Sequence, residues 1–175
     1  MSEVEARTGI DKDRPVHNVT IDTIQAVSDL MFAPWVQELK LEWLEVETGR
    51  VLARLRRQPK LCHFSPGRPD FADRSSMSGQ VLMAAVDTVF SMAIATGESV
   101  SKGTISQNNN FISAANTASL LVEAQIQKWG RVTLGETRIT DEESGRLVCH
   151  ATSTFSMNPP QRGGGAMNPP EKKSA

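Results

Sequence analysis

The sequence predicts an α+β domain in which one curved antiparallel sheet wraps around one long buried helix. Three patterns carry this reading. Residues 79–97, GQVLMAAVDTVFSMAIATG, form a helical stretch that is apolar on every side and holds one ionisable residue, Asp87. Residues 100–157 divide into four extended segments separated by turn signals. Residues 41–56 alternate apolar and polar side chains with the period of strands. A helix apolar all round needs cover on all sides. One curved sheet can supply most of it, and the face left open calls for another subunit.

The elements follow in order. Residues 1–20 are polar and are expected to be a flexible segment. From Thr23 onward, Ile24, Val27, Leu30 and Met31 recur at helical spacing, with Asp22 or Thr23 as the cap. Pro34 opens a second short helix carrying Trp35, Val36 and Leu39. Between positions 41 and 56, Leu41, Trp43, Leu44, Val46, Val51, Ala53 and Leu55 mark two extended runs, with Thr48-Gly49 as the turn or bulge between them. Residues 58–77 contain Pro59, Pro66, Gly67 and Pro69 and read as a loop. The central helix covers 78–96 and Gly97 ends it. Strands are expected at 100–112, 119–129, 131–140 and 146–157, with turns at Trp129-Gly130 and Glu143-Ser144-Gly145. Consecutive strands with short turns predict an antiparallel meander. Residues 158–175 are rich in Pro and Gly and are expected to be a flexible tail, leaving 21–157 as one domain.

Composition narrows the function classes. A formal net charge of −1, without a long Lys/Arg block, gives no footprint for nucleic acid. The two cysteines, Cys62 and Cys149, lie far apart and form no Cys-x-x-Cys pair, so neither a zinc site nor a disulfide framework is expected. No metal or cofactor is signalled. Residues 79–97 have about the length of a membrane span, but Asp87 in the middle and the lack of flanking anchors argue against one. The first residues lack the basic start and apolar run of a secretory signal, so the cytoplasm is the expected compartment.

Asp87 is the leading candidate for chemistry. A carboxylate without partners in an apolar helix costs about 2–5 kcal/mol, and such surroundings favour a general base. The helix start, SSMSG at 75–79, offers free backbone N–H groups able to polarise a carbonyl, and Gly79 leaves room for a ligand to approach. Asp87 follows Gly79 by eight residues, about 12 Å along a helix. One chain's Gly79 and its own Asp87 are therefore too far apart to act on one carbonyl. Two antiparallel helices across a dimer axis would bring Gly79 of one chain near Asp87 of the other.

The segment SSMSGQVLMAAVDTVFSMAIAT, the following ISQNNNFISAA, and the strands KWGRVTLGETRIT and GRLVCHATSTFSM resemble the hot-dog-fold thioesterases of the PaaI-like (phenylacetic-acid-pathway) group. The resemblance covers about residues 33–157. It implies hydrolysis of an acyl-CoA by a dimer or a tetramer. Asp87 matches the family's catalytic Asp or Glu, which activates a water or attacks the thioester directly, Gly79 the Gly whose N–H polarises the thioester carbonyl, and Ser91 a hydroxyl that orients water in some relatives. Asn110 and Phe111 match the strand lining the acyl pocket. Lys128 and Arg131 are implied as holders of the CoA phosphates. Ser78 and Gln80 flank the key Gly on the substrate side, where the family has His and a second Gly, and Ala72 stands at a position that often carries Asn or Gln.

Two other readings are weighed. A hot-dog hydratase or dehydratase would use the stretch from Cys62 to Pro69, but Arg68 stands where its catalytic His belongs. A non-catalytic acyl-CoA-binding protein would fit the departures at Ala72 and Ser78. A triad through Cys149 and His150 is discounted, because adjacent strand residues face opposite ways. His17 carries no signal.

Overall fold

The structure is a computed structural model that describes residues 16–63 and 75–158. Two short helices, α1 (Ile24–Met31) and α2 (Pro34–Gln37), precede the hairpin β1 (Glu42–Glu47) and β2 (Arg50–Arg56). The long helix α3 (Gly79–Ala95) comes next, then β3 (Ser101–Phe111), β4 (Ser119–Lys128), β5 (Val132–Asp141) and β6 (Leu147–Met157). All six strands join one antiparallel sheet in the order β1-β2-β4-β5-β6-β3.

That order corrects the expected meander. Strands β4, β5 and β6 do follow one another, but β3 pairs with β6 at the far edge. The physical reason lies in the side chains. β3, SKGTISQNNNF, has little apolar surface to bury, and most of its residues are exposed. β4 carries Leu120, Val122, Ala124 and Ile126, all buried, and takes the interior position beside β2. A polar strand belongs at an edge and an apolar one at the centre. The crossover between them is tied down by backbone bonds from Met77 N–H to Ala115 O and from Arg57 N–H to Ala118 O, each 2.9 Å.

The core lies between α3 and the concave sheet. Leu82, Ala85, Val86, Val89 and Phe90 of the helix meet Val51, Ala53, Leu55, Val122, Ile139 and Phe155 of the strands. The Phe90 and Phe155 rings sit 5.2 Å apart, centroid to centroid. Gly135 makes this packing possible: a Cβ there would fall 2.2 Å from Gln125 O and 2.9 Å from Phe90 Cε2. Because the obstacle is the neighbouring strand's backbone, Gly135→Ala is expected to lower stability by about 3 kcal/mol in urea unfolding, the upper range of overpacked cores.

The last residues of the segment read as flexible pack against α3. Val19 is buried and its N–H donates to Ala95 O at 3.0 Å, while Asn18 N–H donates to Gly97 O at 2.9 Å. Among the described residues no helix is long and apolar enough to cross a membrane.

On the outer face, Arg54 Nε donates to both oxygens of Glu142 at 2.8 Å, and Arg54 Nη1 reaches Glu42 at 3.0 Å. The Arg54 guanidinium, helped by the Ser119 hydroxyl, holds the Glu142 carboxyl down at about 2, from an ordinary value of 4.5. A depressed carboxyl stabilises the fold above its unfolded-state value, and that contribution fades as pH falls toward the folded-state value. Glu142→Gln is therefore expected to be less stable than the parent at neutral pH. The difference should close between about pH 4.5 and 2, followed by urea unfolding at each pH.

Candidate active site

The site is built on α3 and the edge strand beside it. Ser78 caps the helix in extended conformation, and its Oγ accepts the N–H of Val81 at 3.3 Å. The N–H groups of Gly79 and Gln80 donate to no group among the described residues, so the helix start keeps free donors. Phe111, half exposed, lies over this start: a Cβ on Gly79 would sit 3.3 Å from its Cζ. A side chain at Gly79 would therefore press on that ring, which would have to give by a few tenths of an ångström.

Two turns further on, about 12 Å at 1.5 Å per residue, Asp87 is half-buried and opens into a cleft of about 370 Å³. The Thr104 hydroxyl donates to Asp87 Oδ1 at 2.7 Å. Ser91, one turn after Asp87, lines the same cleft together with Lys102 and Phe155. α3 is buried where it meets the sheet but not all round. Gln80, Met83, Ala84, Asp87 and Ser91, spaced three and four apart, form a stripe left partly open, with Met83 39% exposed. This stripe is the face that the sequence expects a second subunit to cover.

β3 runs back along the helix and fixes its register. Thr104 meets Asp87, Gln107 Nε2 donates to Met83 O at 3.1 Å, and Phe111 meets Gly79. Asn110, adjacent to Phe111, faces away from the helix, where its Nδ2 donates to His150 O at 3.4 Å. The structure therefore brings Asp87, Ser91 and Thr104 together, puts Ser78, Gly79, Gln80 and Phe111 at the helix start, and leaves Asn110 on the other face. Lys128 ends β4 and Arg131 lies in the turn before β5; both are exposed and neither lines the Asp87 cleft. Thr104 and Lys102 are additions to the site that sequence reasoning missed.

The rival constellations fare differently. His63 is exposed and, among the described residues, bonds through its backbone N–H to Ser76 O at 3.0 Å; Phe64, Arg68 and Ala72 lie outside the described residues. Cys149 is buried, and burial pushes its thiol up, away from thiolate character. His150 pairs with Glu136 at 2.8 Å on the outer face. Among the described residues no cluster of three or more His, Cys, Asp or Glu could hold a metal ion.

A curved six-stranded antiparallel sheet around one long helix, with a carboxylate of that helix facing a cleft, defines the hot-dog class. The chain is similar to solved members of the thioesterase superfamily. Zebrafish thioesterase superfamily member 2 matches with a TM-score of 0.65 at 21% identity, over 80% of this chain and 99% of that one. The mouse thioesterase superfamily member 2 matches with a TM-score of 0.65 at 17% identity, over 77% and 95%. A hypothetical thioesterase from Streptococcus pneumoniae, solved with coenzyme A, matches with a TM-score of 0.59 at 18% identity, over 67% and 85%. These identities establish a shared fold. No protein-family profile and no curated protein matches the sequence.

Proposed function

We propose that this chain hydrolyses an acyl-CoA thioester to the free acid and CoA, working as a dimer or a dimer of dimers. The observation that carries the proposal is Asp87: a carboxylate on an otherwise apolar helix, half-buried, held by Thr104 and open to a cleft. As general base it takes a proton from water while the water oxygen adds to the thioester carbonyl. The tetrahedral intermediate then collapses, the C–S bond breaks, and the thiolate of CoA takes up the proton. Free N–H groups at Gly79 of the facing subunit stabilise the oxyanion, with Ser78 and Gln80 beside the carbonyl. Ser91 orients the water. Lys128 and Arg131 of the facing subunit, on the exposed turn beside its Gly97, hold the CoA phosphates. The coenzyme A in the Streptococcus pneumoniae structure supports this class of ligand for the fold.

Thr104 fixes the orientation of the carboxyl group through its 2.7 Å hydrogen bond to Oδ1. Thr104→Val is expected to lower kcat by roughly tenfold or more, with KM changed less.

The alternative is a protein that binds acyl-CoA without cleaving it. The Phe111 ring against Gly79 favours it, because a carbonyl would have to approach at that point. Thiol release from acetyl-, hexanoyl-, decanoyl-, hexadecanoyl- and phenylacetyl-CoA separates the two. Release with at least one of these supports hydrolysis. Calorimetric binding without release from any of them supports the binder.

A further inference from the structure

From Asp87 the cleft continues along α3 past Ser91 to Ile94 and Ala95, a rise of about 12 Å over eight residues. β3 runs antiparallel to the helix, so Thr104 stands at the Asp87 end and Val100 and Ser101 at the Ala95 end. The hydroxyls of Ser91 and Thr104 therefore gather around Asp87. The rest of the wall is mostly apolar, with Val16, Met31, Ile94, Ala95, Val100 and Phe155, and Ser101 adds a hydroxyl at the Ala95 end. Lys102 and Gly103 are on its solvent side, both exposed.

Val16 is at the far end for a specific reason. The two residues that follow its neighbour His17 are bound to the last turn of α3, Asn18 N–H to Gly97 O and Val19 N–H to Ala95 O. These bonds hold the backbone of the segment where the helix finishes, and Val16 packs against the core there. Met31, the last residue of α1, lines the same cleft and is 42% exposed. The volume of about 370 Å³ is in the lower part of the range of small-molecule sites, about 300–1,000 Å³, and far exceeds what an acetyl group fills.

We infer that this cleft receives the acyl chain, that the chain is apolar and of medium length or aromatic, and that Val16 and Met31 set the limit on its length. The inference rests on the hydrolysis proposed above and adds specificity residues to it. The carbonyl stays at the polar end beside Asp87, and the chain runs toward Val16 away from water.

The test measures kcat/KM on the same five acyl-CoAs for the full chain and for Val16→Trp, Met31→Trp and Met31→Ala. Ile21→Trp serves as control, since Ile21 is exposed in the same region and does not line the cleft. The parent is expected to prefer hexanoyl, decanoyl and phenylacetyl groups to acetyl and hexadecanoyl. Each Trp in the cleft should lower the decanoyl-to-acetyl ratio by about tenfold, the scale on which apolar pockets discriminate. Met31→Ala should raise the hexadecanoyl-to-decanoyl ratio, and Ile21→Trp should leave both ratios unchanged. Where a Trp variant unfolds at a lower temperature than the parent, Val16→Leu and Met31→Ala carry the comparison with smaller shifts of opposite sign. Unchanged ratios in well-folded variants of a hydrolysing parent overturn the assignment of Val16 and Met31 and leave the hydrolysis standing. A parent that releases no thiol overturns the hydrolysis; calorimetric affinities for the same panel then read the same ratios, and flat affinities across the variants overturn the chain-length limit as well.

Discussion

Asp87→Asn is expected to lower kcat by about 10³-fold or more, at unchanged acyl-CoA affinity and unchanged unfolding temperature. The substitution keeps the size of the side chain and an oxygen able to accept the Thr104 hydroxyl at the same 2.7 Å position. It removes only the charge and the ability to take a proton. General-base catalysis contributes about 10²–10⁴ in rate, and an amide supplies none of it. A purely structural Asp87 predicts the reverse pattern, a loss of stability with turnover retained. Single turnover in ¹⁸O-water separates base from nucleophile in the parent. A base leaves the label in the released acid alone. A nucleophile passes through an anhydride, and water that opens it at the aspartyl carbonyl deposits label in the Asp87 carboxylate, read by mass spectrometry.

The contrast between what the sequence announced and what it hid follows from packing. The central helix was legible because its apolar residues occupy every side, and few segments other than a wrapped helix look that way. Asp87 was legible for the same reason, as a lone charge in that run. The β1–β2 hairpin was legible because Val51, Ala53 and Leu55 alternate with Arg50, Leu52 and Arg54 around the Gly49 turn. The edge position of β3 was missed because chain order was read as spatial order. The polar run SQNNN carried the signal, since such a strand has nothing to bury in a sheet's interior. The register of β3 was not legible at all. Two irregularities, between Ser101 and Gly103 and between Thr104 and Ser106, shift the alternation, so sequence parity alone does not reveal that Thr104 faces the helix. Gly103, at φ +132°, takes a backbone conformation that favours glycine at the first of these. Phe111 and Asn110 were paired as one motif, although neighbours on a strand point to opposite faces.

Mixing Asp87→Asn chains with Gly79→Leu chains is expected to restore activity that neither variant has alone. Leu at position 79 presses on the Phe111 ring, 3.3 Å from where its Cβ would lie, and screens the free N–H groups. Within one chain the two lesions are about 12 Å apart along the helix, too far to serve one carbonyl. Antiparallel helices related by a two-fold axis place Gly79 of each chain beside Asp87 of the other. A mixed dimer then has one site with both lesions and one site with none. Random association in equal amounts gives half mixed dimers, so recovery should approach about a quarter of parental activity. Sites formed within one chain would each carry a lesion, and the mixture would stay inactive. The molecule has the surface for such a dimer: the open stripe of Gln80, Met83, Asp87 and Ser91, next to the edge of β3 that pairs with no strand among the described residues, with exposed Ile105 and Phe111. An unpaired strand edge beside exposed apolar side chains is a template for association. Met83→Asp places a second charge on the stripe, where two copies would bring like charges together. It should therefore separate the subunits and abolish the recovery, while each chain keeps its own core. Sedimentation reads the first effect and thiol release the second. Recovery that survives in a monomeric Met83→Asp background would mean that the site does not depend on a neighbouring chain.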